Sequence, residues 1–462
     1  MHRDAKDVPR GNLNMKKLTF SEIIVVSSML FGLFFGAGNL IFPASMGQLA
    51  GQNIWAASVG FLITGVGLPL LGVAALGISH ENGLLGLSSR VSKGYGLFFT
   101  CVLFLTIGPF FAIPRCASVS FTVGVKHLLP QADPIVSIAL FSFLFFAVVL
   151  FFSLRPQQIL TWIGKVLNPL FLFFLAVLIL RALSAPLGEI STVAPSAAYA
   201  DHPFTTGFLE GYNTMDALAG LAFGIIIVNV IRSLGVSDSR QTAKNTICAG
   251  LFSSLLMAVI YVLIAVVGAQ SRGLFPPSSN GGEALALIAD HYFGSVGALI
   301  LALTVTLACL KTAIGLITSC SQTFVRIFPK GPSYPVWAVS FCILSFLIAN
   351  LGLDLIVSCS TPLLMFLYPL AIVLIALTLF GSLFRNDRFV LQVTLAFTAV
   401  GAVYDLLRTL PDQLKDLLHL KALLSSLSRW IPLADLGLGW LLFALCGLCI
   451  SLAVRSWRIR KA

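Results

Sequence analysis

Hydrophobic and polar positions along this chain fall into long blocks, not the short periods of soluble helices or strands. A window of ~20 residues, the length a helix needs to cross a bilayer, finds apolar stretches near 20–45, 54–78, 96–125, 134–154, 160–181 and 211–231. Six more lie near 245–269, 294–325, 335–350, 355–381, 389–407 and 432–455. The pattern predicts an all-α polytopic membrane protein of twelve transmembrane helices, and the even number puts both termini on one side. Two polar connections are long, 182–210 and 271–292, and within the second 283–291 has helical character. The segment 406–430 places leucines at mixed three- and four-residue spacing among charges. It reads as an amphipathic helix in the membrane interface, or else as a partner-binding helix in solution.

Composition excludes the alternatives. Of 462 residues, 58% are hydrophobic and only 10% charged, against about 25% charged in soluble domains; a disordered chain would be poor in apolar residues. The net charge of +11 would suggest a polyanionic partner in a soluble protein. Here the basic residues sort by loop. With the N-terminus inside, twenty lie in inner segments, seven in outer segments and two within the apolar stretches, which accounts for all 29. This is the bias of the positive-inside rule, so the charge sets orientation, with both termini cytoplasmic and no nucleic acid implied. Residues 1–17 read as a cytoplasmic leader and not a signal peptide. The nine cysteines sit in apolar stretches as small hydrophobes. Cys446 and Cys449 form a C-x-x-C without further ligands, so no disulfide framework or metal site is read. Phosphate-loop and His-Glu-x-x-His patterns are missing from the sequence, which argues against a pump or an enzyme and calls for no cofactor. No obligate protein partner is evident.

Most stretches are plain Leu, Ile, Val and Phe, but the first carries Phe31-Gly-Leu-Phe-Phe-Gly-Ala-Gly-Asn-Leu-Ile-Phe-Pro43. Each interior glycine costs a helix about 1 kcal/mol relative to Ala. A broken helix in lipid leaves backbone groups unsatisfied unless they line a cavity, where they become ligands. The other reading is a Gly-x-x-x-Gly packing face through Gly32 and Gly36, to which Asn39 would add nothing. The sixth stretch is similar, with Gly211-Tyr-Asn-Thr-Met-Asp-Ala-Leu-Ala-Gly220 followed by Gly224. If the first ten helices form two five-helix halves, stretches one and six hold corresponding places. Paired breaks in such places point to a transporter site, with half-helix amides suited to an anion and half-helix carbonyls to a cation.

Three ionisable residues stand out within the apolar stretches: Arg115, Asp216 and Lys311. A charge at the bilayer centre costs about 2.5–3.5 kcal/mol on insertion scales, so such residues are functional or paired. Lys311 suits ion coupling, a structural ion pair or snorkelling. Arg115 suits bridging between helices, and Asp216 divides evenly between structure and function.

In order along the chain, GAGNLIFP, GPFFAIPRCASVS, GYNTMDALAG, FGIIIVN, ACLKTAIGL and STPLLMFLYPLAI resemble the bacterial branched-chain amino acid carrier II family. These are symporters of leucine, isoleucine and valine with a cation in the bacterial cytoplasmic membrane, and the likeness runs from Leu18 to the last stretch. It implies the leucine-transporter fold, a five-plus-five inverted repeat with discontinuous helices 1 and 6. Residues 18–381 would form the core (repeats about 18–181 and 211–381), and 382–462 would supply two additional helices. By the same resemblance the substrate carboxylate would meet amides at Gly36, Ala37 and Gly38. Its amino group would meet carbonyls near Ala217, Leu218 and Phe223, and Phe110, Phe111 and Phe223 would line an apolar pocket. Asn39 matches an asparagine that helps bind one sodium ion in sodium-coupled members of that superfamily. A second sodium would lie between Gly32, Phe35 and a hydroxyl pair of the eighth helix. That pair is Lys311-Thr312 here, and an ammonium is a donor only. Lys311 therefore stands as a substitute for the second ion, with Na+ or H+ as the coupling ion. A non-transporting sensor or an exchanger on the same fold is the alternative function.

Overall fold

The computed structural model describes residues 18–79, 81, 83–128, 133–236 and 238–461; the leader at 1–17 lies outside them. Among the described residues the structure is helical throughout, without a strand. Ten helical stretches are long and apolar enough to cross a membrane, and two shorter apolar helices, Phe20–Phe34 and Tyr334–Ala349, join them. Local chemistry fixes where several begin. Thr19 closes a capping box over Phe20–Phe34, accepting from the Glu22 amide while the Glu22 carboxylate accepts from the Thr19 amide at 2.8 Å. Asp238 accepts from the Gln241 amide at 2.9 Å to start Ser239–Ser271. Such caps satisfy amides that a helix start leaves free.

Burial separates centre from rim. The apolar window of Pro203–Ser233 is 89% buried and that of Ser295–Ile327 78%, whereas Pro134–Ser153 is 22% buried. Helices with apolar side chains facing outward form the rim, as lipid contact requires, and those carrying polar residues are enclosed. Lipid gives helices no hydrophobic reason to associate, so close backbone packing through small residues takes that role. Two crossings show it. A Cβ on Gly47 would lie 2.0 Å from the Ala265 carbonyl oxygen, and one on Gly268 2.4 Å from that of Ala44. Reciprocally, Gly60 meets the Phe204 carbonyl and Gly207 the Ala57 carbonyl, each at 2.1 Å.

Three boundaries differ from those the sequence predicts. The first stretch is two helices, Phe20–Phe34 and Gly38–Ala50; the second continues to Gly51, whose φ of +49° ends it. The sixth begins at Pro203, not 211, because Pro203 occupies the first helical turn and Pro203–Glu210 is helical despite its threonines and glutamate. Predicted as one amphipathic helix, 406–430 is instead the end of Arg388–Thr409 followed by Asp412–Leu417 and Leu420–Ser428. Pro411 and His419, at φ +52°, separate these pieces. The helix expected at 283–291 is present as Gly281–Phe293.

Because backbone cannot yield to an added methyl, Gly47→Ala and Gly207→Ala are expected to cost about 1–3 kcal/mol each, read as a lowered Tm in detergent. Gly94→Ala is the control: its Cβ meets nothing within 4 Å, so stability should hold or rise by about 1 kcal/mol or less.

Candidate functional site

Two interruptions of helical backbone face each other at the centre of the bundle. In the first, Phe20–Phe34 ends at Phe35 in an extended conformation (φ −74°, ψ 93°), and Gly38–Ala50 starts after Ala37 without a side-chain cap. The Gly36 amide turns away to donate to Asn39 Oδ1 at 2.8 Å. The Gly32 carbonyl thereby loses the amide that a continuous helix would supply. Glycine is required at 36, since a Cβ there would lie 2.9 Å from Thr312 Oγ1. In the second interruption, Pro203–Glu210 passes through the short turn Gly211–Thr214 to Met215, in the left-handed region at φ +64°, before Asp216–Ser233 begins.

One polar node joins them. Asp216 Oδ2 accepts from Asn39 Nδ2 at 2.6 Å and from the Tyr261 hydroxyl at 2.6 Å, and Asn39 also contacts the Tyr261 hydroxyl. All three are buried, Asp216 at 1% exposure. On the other side of the turn, Arg115 donates Nη1 to the Asn213 carbonyl at 2.9 Å and lies 5.5 Å from the Phe42 ring. Its Nη2 would be 3.1 Å from a Cβ on Gly38, so the guanidinium reaches the start of Gly38–Ala50. A stack of Tyr212 on Tyr368, 4.1 Å between centroids and 17° from parallel, fastens the turn to Leu353–Leu379.

A second polar group lies beside Gly32. Lys311 Nζ donates to Asn168 Oδ1 at 3.0 Å and sits 3.6 Å from the Phe171 ring centroid. Cation–π contact of this kind is worth about 2 kcal/mol when desolvated. Asn168 Nδ2 donates onward to Ser28 Oγ at 2.9 Å, and a Cβ on Gly32 would lie 3.4 Å from Asn168 Oδ1. The next residue, Thr312, donates its hydroxyl to the Leu33 carbonyl at 3.0 Å, which satisfies one carbonyl at the end of Phe20–Phe34.

The structure thus brings together Gly32, Phe35, Gly36, Ala37, Gly38, Asn39, Arg115, Asp216, Lys311 and Thr312 around the first interruption. Ala217 and Leu218 occupy the first turn of Asp216–Ser233. What a first turn leaves free is amides, whereas in the preceding turn, 211–214, Arg115 takes the Asn213 carbonyl. Phe223 lies deeper in the same helix, fully buried and edge-on to Phe34 at 5.7 Å. Phe110 is 38% exposed and Phe111 half-buried, following the kink at Gly108. Tyr261, Asn168, Asn213 and the Tyr212–Tyr368 stack were not singled out by the sequence, because their partners lie far away along the chain.

Clefts approach the node from two directions. One, of about 350 Å³, is lined by Asp201, His202, Glu210, Asn213, Met365 and Asp435. Another, of about 480 Å³, is lined by Gln157, Asn229, Ser233, Thr318 and Gln322. Asn213 precedes Asp216–Ser233 and Asn229 lies near its far end, so the two clefts sit at opposite ends of that helix.

The chain has relatives of known kind. It matches the family of branched-chain amino acid transport proteins over residues 19–458. It is 52% identical over 427 residues to a branched-chain amino acid permease BrnQ of Lactobacillus delbrueckii subsp. lactis, covering 92% of this chain and 95% of the relative. To the branched-chain amino acid transport system 2 carrier protein of Pseudomonas aeruginosa it is 40% identical, covering 93% and 94%. In fold it resembles Mhp1, a nucleobase-cation-symport-1 family transporter in a closed conformation with bromovinylhydantoin bound (TM-score 0.59, 14% identity, 97% and 96% covered). It also resembles MhsT in complex with L-phenylalanine (TM-score 0.54, 16% identity, 96% and 99% covered). With those neighbours it shares the fold of leucine-transporter-like carriers, and by sequence the chain belongs to the branched-chain amino acid transport protein family.

Proposed function

We propose that this protein imports leucine, isoleucine and valine by alternating access, together with Na+ or H+, across a bacterial cytoplasmic membrane. Its apolar helices are read as twelve crossings, the first made of Phe20–Phe34 with Gly38–Ala50 and the second of the remainder of Gly38–Ser79, with both termini cytoplasmic as the basic residues direct. The core, 18–381, is read as two inverted five-helix repeats, about 18–181 and 211–381. Residues 382–462 add two helices, and helices 1 and 6 are discontinuous. The observation that carries this reading is the meeting of two helix interruptions through Asn39 and Asp216. Chain breaks at matching places of two halves are what a midplane substrate site needs. The substrate carboxylate faces the amides at Gly36, Ala37 and Gly38, of which the Gly36 amide would be shared with Asn39 Oδ1, and the aliphatic side chain extends toward Phe223 and its neighbours. One methylene is worth only about 1–3 kcal/mol in an apolar pocket, so all three substrates are admitted.

Coupling is assigned to the second polar group. Gly32, Phe35 and Thr312 offer oxygens of the kind that hold sodium, but Thr312 is already engaged with Leu33 and Lys311 places an ammonium nearby. An ammonium there takes over the electrostatic duty of an ion at the carbonyl end of a half-helix and, unlike a fixed charge, can bind and release a proton during the cycle. Transport is then driven by protons, or depends on sodium less than a hydroxyl pair would make it.

In proteoliposomes, tritiated leucine uptake should be competed by isoleucine and valine at similar concentrations, and not by lysine or glutamate. Binding of leucine without uptake would instead favour a sensor. For coupling, counterflow is measured with and without sodium at a fixed pH gradient: wild type should change little when sodium is withdrawn, and Lys311→Thr, which restores a hydroxyl pair, should become sodium-dependent. Equal sodium dependence in both would remove Lys311 from the coupling step.

A further inference from the structure

Arg115 and Asp216 are both enclosed, at 5% and 1% exposure, yet they do not pair with each other. Among the described residues no ion pair joins either to an opposite charge within 4.0 Å. What keeps them apart is visible. Arg115 is tied to the Asn213 carbonyl, while Asp216, three residues on, is held by Asn39 and Tyr261. Of the five N–H groups an arginine carries, that bond uses one, and the guanidinium lies against Gly38, where the uncapped amides of Gly38–Ala50 begin. Positive charge and the positive end of a half-helix thus converge on one point. Asp216 marks the other pole, bonded to Asn39, the residue after Gly38. Asn213 also lines the acidic cleft of Asp201, Glu210 and Asp435, so Arg115 lies under the floor of one approach to the centre.

Two buried groups of opposite charge type that do not pair with each other are costly in an apolar interior. They become favourable when a ligand carrying both charges enters between them. We propose that Arg115 and Asp216 recognise the two ends of a zwitterionic α-amino acid, the guanidinium receiving its carboxylate and the Asp216 carboxylate its ammonium. This rests on the amino-acid substrate proposed above and adds a side-chain charge at each pole to the backbone groups at Gly36–Gly38. It also separates the two jobs of the site: the charged poles require the α-amino acid, and only the apolar remainder chooses among side chains. A lone anion or a lone cation satisfies one pole and leaves the other unpaired, so both are rejected.

The test uses the purified full-length protein and equilibrium binding of tritiated leucine, with isoamylamine (leucine without its carboxylate) and isocaproate (leucine without its ammonium) as competitors. Wild type should bind leucine and take either competitor far more weakly. Arg115→Gln should weaken leucine roughly tenfold or more, the worth of a charge-assisted hydrogen bond, while leaving isoamylamine unweakened. Asp216→Asn should weaken leucine similarly and leave isocaproate unweakened. Arg115→Lys and Asp216→Glu, which keep the charges, should fall between and serve where the neutral variants do not fold. Variants that bind leucine as wild type does, or that lose all three ligands in proportion, overturn the assignment and leave the two residues as helix braces. A well-folded wild type that does not bind leucine overturns the substrate reading itself, and this assignment with it.

Discussion

A helix interrupted inside an apolar bundle exposes amides and carbonyls that have no water to turn to, at several kcal/mol for each one left bare. Everything at the centre of this protein follows from how those groups are satisfied. Asn39 turns its side-chain oxygen to the Gly36 amide and its nitrogen to Asp216, so one residue closes the first interruption and ties it to the second. Arg115 and Thr312 each take a carbonyl, from Asn213 and Leu33. The groups these residues leave unbonded are gathered in one place, and that surplus is what a ligand can use.

The packing around the node lets it persist without freezing the molecule. Helices close to it cross at glycines, backbone on backbone, at Gly47 and Gly268 and again at Gly60 and Gly207. Such contacts are close but carry no interlocked side chains. They hold helix pairs as units, and the boundaries between units are lined by clefts. A carrier working by alternating access needs this division: stiff within a unit, separable between units.

Much of this was legible before any coordinates. Apolar blocks of membrane length are hard to misread, and glycine, asparagine and proline at 36–43 contradict the helix around them so plainly that an interruption was the natural reading. Asp216 and Lys311 announced themselves by their cost in lipid. What escaped was of two kinds. Pro203–Glu210 looked like loop because Thr205, Thr206 and Glu210 are polar; they are polar because that helix borders a cleft. Tyr261 and Asn168 looked like ordinary text, a tyrosine among Leu, Val and Ile and an asparagine ahead of Pro169. Their importance lies in partners 45 and 143 residues away, and local pattern carries no trace of such pairs. Where the helix resumes, at Asp216, was not legible either, because composition marks a break without saying on which side the helix begins again.

The stack of Tyr212 on Tyr368 has an electrical consequence. It spans the point where the Gly211–Thr214 turn meets a neighbouring helix, one turn from Met365 in the wall of a cleft. Parting two neutral rings moves no charge through the membrane field, whereas a full charge crossing it gains about 2.3 kcal/mol per 100 mV. Voltage has no handle on this contact, so any force of the membrane field on the bundle falls instead on its charged residues, Arg115, Asp216 and Lys311.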